Sequence, residues 1–186
     1  KTPAGGVVVD GTFNMYGGAL TNNYRYTTSG TWASAVLVNA GGTFNLVDGL
    51  IARNASQDSE YGNASSTSAR NGGAVYVKGG TFNMSGGEIS KNVAGAFYAP
   101  SDGGGVYVTG GNTFNLTDCQ NNAGKVTSSY FSNEYNRDEA RWGTGVSVAK
   151  NATFNMYGGT IFGNIGGGDK TPAGGVVVDG TFNMYG

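Results

Sequence analysis

The stretch GGAVYVKGGTFNMSGGEISKN, residues 72–92, carries two period-two patterns punctuated by glycine pairs. Val75 and Val77 flank a tyrosine, and Phe82 and Met84 flank Asn83. Such alternation sends successive side chains to opposite faces of a strand. Val75, Val77, Phe82 and Met84 are therefore expected on one apolar face, with Thr81 and Asn83 turned outward. Helix is excluded: no window holds a sustained i, i+3, i+4, i+7 stripe, and glycine recurs too often for a stable helix.

The same parts return along the whole chain. Thr-Phe-Asn starts at Thr12, Thr43, Thr81, Thr113, Thr153 and Thr181, at offsets of 31, 38, 32, 40 and 28 residues, 169 in all. A Val-x-Val pair precedes each, at Val7/Val9, Val36/Val38, Val75/Val77, Val106/Val108, Val146/Val148 and Val176/Val178. Turns rich in Gly, Asn and Asp separate the pairs from the Thr-Phe-Asn segments. After a second turn comes an [IL]-x-x-N segment: LTNN (20–23), IARN (51–54), ISKN (89–92) and IFGN (161–164). The fourth repeat departs, with Asn121 expected at the Ile/Leu place and Gly124 at the Asn place.

Three strands of four to five residues per repeat cannot bury an apolar face alone. Stacked coil on coil they can, each strand pairing with its counterparts above and below at about 4.8 Å. A β-sandwich also suits short strands and glycine turns. It does not explain why one residue type returns at one strand position in every repeat, and stacking does. The expected fold is a single-stranded parallel β-helix, about five coils per 169-residue unit. Its core columns are Phe13, Phe44, Phe82, Phe114, Phe154 and Phe182, with the alternating Met and Leu beside them. Outward, Asn14, Asn45, Asn83, Asn115, Asn155 and Asn183 are expected to form a hydrogen-bonded ladder that pins the register.

Composition agrees with an ordered solenoid of low charge. The 186 residues include 35 Gly and no His, with 12% charged, 38% apolar and 12% aromatic side chains. That apolar content is too high for disorder. A net charge of −1 leaves no basic footprint for nucleic acid or anionic membranes. No apolar run approaches the roughly 18–20 residues that a membrane helix needs, so no membrane insertion is expected. The single cysteine, Cys119, permits neither an intramolecular disulfide nor a thiolate metal cluster. No cofactor is implied.

The quoted stretch resembles the GGA[IV] and [FI]xxN repeats of pectin-lyase-like right-handed β-helices in bacterial and archaeal surface proteins. The polymorphic outer-membrane adhesins carry that pattern. The resemblance covers every repeat except part of the fourth. It implies a right-handed coil, an extracellular or cell-surface location and a structural or adhesive role, and it brings no active site. β-Helical pectinases use clustered carboxylates with Arg, Lys or His on one sheet face. Here Asp48 and Asp118 share a position after Thr-Phe-Asn, roughly 9.5 Å apart by strand spacing. That separation lies within the range of paired glycosidase carboxylates, about 5–9.5 Å. Aspartate is also an ordinary turn residue, so a polysaccharide lyase or hydrolase is the remote alternative and no enzyme is expected.

Two features are candidates for contact. The outward Thr/Asn array could order water as an ice-binding face does, although its third column is mixed (Tyr16, Val47, Ser85, Thr117, Tyr157). Long inserts, residues 24–33, 55–71, 93–102 and 123–142, are expected at one corner of successive coils. They carry Tyr24, Tyr26, Trp32, Tyr61, Tyr98, Tyr130, Phe131, Tyr135 and Trp142 amid small polar residues, a composition suited to glycan or inter-strand contact. Packing of the inserts on each other, as a lid over a sheet face, is the competing reading. Of the Asn-x-Ser/Thr sequons, Asn63 in an insert is the most credible glycan acceptor.

Residues 1–17 and 170–186 are identical. The chain is accordingly expected to be one five-coil unit, 1–169, followed by the start of the next, 170–186. It would be an excerpt of a tandem array continued covalently, with end-to-end docking of subunits as the alternative. The partner expected first is thus the protein itself, with environmental or host glycans second.

Overall fold

A computed structural model describes residues 4–26, 33–57, 74–94, 103–117, 125–127, 145–164 and 174–185. Among these residues every regular element is a β-strand, and every strand pair is parallel. The Val-x-Val segments Val7–Val9, Val36–Val38, Val75–Val77, Val106–Val108, Val146–Val148 and Val176–Val178 stack in that order into one sheet. Valine faces valine throughout, as in Val75↔Val106 and Val146↔Val176. The Thr-Phe-Asn segments stack likewise, with Phe44 opposite Phe82, Phe82 opposite Phe114 and Phe154 opposite Phe182. The chain is a parallel β-helix.

Its core lies between the sheets. Both valines of each inner pair point inward and meet the phenylalanine, Met/Leu and Ile columns in one apolar cluster. Phe44, Phe82, Phe114 and Phe154 are fully buried. Their rings stack at 4.7–4.9 Å, and Phe13 and Phe182 extend the column at 5.0 and 4.7 Å. The spacing is that of the strands themselves, so ring stacking and backbone pairing satisfy one geometry.

The corner between the two segments is a four-residue turn in three coils. It is closed by Gly42 N–H to the Asn39 carbonyl, Asn112 to Thr109 and Ala152 to Ala149. Its third residue has positive φ and is Gly41, Gly111 or Asn151, types that tolerate the left-handed region.

Several expectations about segment boundaries are corrected. The turn expected after Thr-Phe-Asn is no corner in the first two coils. Thr12–Thr21 and Thr43–Ala52 run unbroken, with a register shift near Tyr16. Both stacks therefore belong to one nine-stranded sheet. The third sheet comes instead from residues assigned to inserts: Tyr24–Tyr26, Ala55–Gln57 and Val93–Ala94. In the fourth coil, Val126 sits opposite Ile89 and Ile161, at the place expected for Asn121. Val126 is fully buried and lies ten positions after Leu116, where Ile89 lies five after Met84, so part of the extra length precedes this segment.

Alternation alone would leave the middle residue of each Val-x-Val in solvent. Leu37 and Tyr76 are nevertheless buried, and pack with Ala4, Ala33 and Tyr107 on the outer side of that sheet.

Candidate functional site

The outward face of the Thr-Phe-Asn sheet carries a continuous amide chain. Asn45 Nδ2 donates to Asn14 Oδ1 at 2.7 Å, Asn83 to Asn45 at 2.8 Å and Asn115 to Asn83 at 2.8 Å. Asn155 donates to Asn115 and Asn183 to Asn155, both at 2.9 Å. Every amide points the same way along the axis, because each rung supplies one Nδ2 donor and one Oδ1 acceptor at the strand spacing. These groups are thereby engaged with each other, which reduces what the column offers to a ligand.

Beside that ladder runs a column of changing character. Backbone bonds of Ser85, Thr117, Tyr157 and Tyr185 to the coil before set it in register. Tyr16 is 73% exposed, and Tyr157 and Tyr185 are 50% and 51% exposed. The last two stack on each other, ring centroids 4.7 Å apart and planes within 6°.

A second asparagine ladder, on the inside of the corner after the [IL]-x-x-N segment, was not expected as a site. Asn54 Oδ1 accepts both the backbone N–H and the side-chain amide of Asn23, at 3.0 and 2.8 Å. Asn92 Oδ1 accepts the same pair from Asn54. The free amide hydrogens return to the preceding coil, Asn54 to the Leu20 carbonyl and Asn92 to the Ile51 carbonyl. Asn164 donates to the Val126 carbonyl in the same manner. The residue before each asparagine, Asn22, Arg53, Lys91 or Gly163, has φ between 55° and 62°. That left-handed residue turns the chain so that the next side chain points in. The recurrence of Asn at the fourth place of a motif led by a core Ile was the available signal. Asn54, although part of a sequon, is fully buried in this ladder.

Outside the same corner, a shallow groove of about 320 Å³ spans the first three coils between Arg53, Glu88 and Lys91. Among the described residues, no three His, Cys, Asp or Glu side chains gather as a metal site. Asp48 is exposed and accepts the N–H of Gly49 at 2.7 Å, a local turn bond. Asp118 lies outside the described residues. So do Trp32, Tyr61, Tyr98, Tyr130, Phe131, Tyr135 and Trp142. Tyr24 is exposed on the third sheet, where it faces Ala55, and Tyr26 pairs with Gln57.

The architecture thus defines a class, the parallel β-helical solenoid, and no more particular assignment. Comparison with protein-family models, with curated proteins and with solved structures finds no match.

Proposed function

We propose that the chain is a structural repeat of an extracellular, cell-surface fibre, built by end-to-end continuation of β-helical units and adhesive in use. One observation carries this reading. The segment Val176–Met184 has the same sequence as Val7–Met15 and lies on the coil Val146–Met156 with the pairings used everywhere else in the stack. Identical peptides thus occupy two rungs of one solenoid, five coils apart. A coil that accepts this peptide accepts the beginning of a unit, so units can follow one another without a change of geometry. Residues 1–169 are the repeating unit in this reading, and each adds roughly 24 Å of length.

The resemblance of residues 72–92 to adhesin-type repeats supports the surface location and the adhesive use. The engaged amides of the outer ladder favour a structural role over the ice- or glycan-binding alternative.

Chains of one, two and three units, compared by small-angle scattering and negative-stain microscopy, test the array. The expected result is a constant cross-section and a length rising by about 24 Å per unit. Separate beads on a string would overturn it. Antibody labelling of intact source cells tests location, and an interior antigen would remove the surface assignment.

A further inference from the structure

We propose that Tyr157 and Tyr185 form an oxidative cross-linking site, at which hydrogen peroxide and a haem peroxidase join two successive coils through a dityrosine bond. The two phenols are held by equivalent backbone bonds, Tyr157 N–H to the Leu116 carbonyl and Tyr185 N–H to the Met156 carbonyl. Their rings lie parallel at 4.7 Å, and half of each residue's surface is open to solvent. An oxidant can reach both rings, and neither has to search for its partner. A second stacked tyrosine pair among the described residues, Tyr76 and Tyr107, lacks this combination: Tyr76 is 5% exposed and the centroids are 5.3 Å apart.

Tyr16 supplies an internal comparison. It stands in the same NMYG sequence as Tyr185 and is more exposed, yet the residue opposite it in the next coil is Asp48. A following coil therefore does not cover this column, and exposure alone does not make the site. The site is the adjacency of a fifth-coil and a sixth-coil tyrosine. In a tandem array that adjacency would recur at every junction, but the inference stands on this chain without the array.

The chemistry balances as follows. Each phenol loses one electron and one proton and becomes a neutral phenoxyl radical. The two radicals pair their electrons in one carbon–carbon bond between ring positions ortho to the oxygens, for which a face-to-face approach is suited. The hydrogen on each bonded carbon then moves to oxygen and restores both aromatic rings. Hydrogen peroxide takes up the two electrons and two protons and leaves as two molecules of water.

The test treats the dilute full chain with hydrogen peroxide and a haem peroxidase. The expected product is a monomer lighter by two hydrogen atoms, with dityrosine fluorescence. Trypsin cleavage after Lys150 and Lys170 yields peptides 151–170 and 171–186, each with a single tyrosine, and these are expected to be joined. Tyr157→Phe keeps a stacking ring and should lower the intramolecular product by roughly tenfold, because proximity is what accelerates the coupling. Tyr16→Phe and Tyr76→Phe should leave it unchanged. Cross-links mapping to other tyrosines, or only between chains, would overturn the assignment. So would an undiminished product from Tyr157→Phe. The peptide map of the unsubstituted chain decides independently of how any variant folds.

Discussion

The side-chain oxygen of Asn92 receives both the backbone N–H and the side-chain amide of Asn54, at 3.0 and 2.9 Å, with both residues fully buried. One acceptor thus closes two donors at a corner where the strand ladder is interrupted. Removing such a side chain strands its partners without water.

Asn92→Ala removes the acceptor of two Asn54 donors and the donor to the Ile51 carbonyl. Each buried group left unpaired costs about 1–3 kcal/mol, so a loss of about 3 kcal/mol is expected by denaturant titration. Asn45→Ala, on the outer ladder, breaks two bonds that water can replace, and about 1 kcal/mol or less is expected. Equal losses would mean that the inner ladder has no special place in the stack.

Phe82 is sandwiched between Phe44 and Phe114 and is fully buried. Phe82→Ala leaves a cavity along the axis and should cost about 3–5 kcal/mol, whereas Phe82→Leu refills most of it and should cost markedly less. Thermal unfolding of the two variants side by side checks the order.

Lys91 sits at φ 55°, where the fifth coil places Gly163. A non-glycine residue there bears about 1–2 kcal/mol of left-handed strain. Lys91→Gly relieves it but loosens the unfolded chain by roughly 0.5–1 kcal/mol, so a change between zero and about 1.5 kcal/mol of stabilisation is expected. Lys91→Val adds a β-branched side chain to the same conformation and should destabilise. A stabilising valine, read from the unfolding midpoint, would contradict the left-handed corner.

A methyl group on Gly80 would land against the Gly42 carbonyl of the neighbouring coil, while one on Gly11 meets nothing within 4 Å. Gly80→Ala must push two coils apart and is expected to cost about 1–3 kcal/mol. Gly11→Ala should stay within about 0.5 kcal/mol of the parent. Their separation on one denaturation series tests the coil-to-coil approach directly.

The strands most legible in the sequence were those whose signal is local. Val75-x-Val77 and Phe82-x-Met84 declare their faces by alternation, and the repetition of Thr-Phe-Asn declares that like residues stack. Val126 was not legible, because spacing from Thr-Phe-Asn places Asn121 at the core and only inter-coil pairing shows the displaced segment. The third sheet was hidden for a related reason. Tyr24-Arg25-Tyr26, Ala55-Ser56-Gln57 and Val93-Ala94 share no residue type at a common position, and their strand state comes from pairing with each other. The inner Asn23–Asn54–Asn92 ladder depended on a corner with positive φ, which sequence composition does not reveal at Arg53 or Lys91.

By itself the sequence determined the period, the strand faces and the columns, because these follow from side-chain alternation and recurrence within one coil. Tertiary structure decided which residues of different coils meet. It turned Asn54 inward and Asn45 outward, buried Leu37 and Tyr76 on a nominally solvent face, and set Tyr157 against Tyr185 while Tyr16 faces Asp48. The physical reason is that strand pairing in a solenoid is made entirely between coils, so contacts across the stack depend on insert lengths and corner geometry that no single repeat encodes.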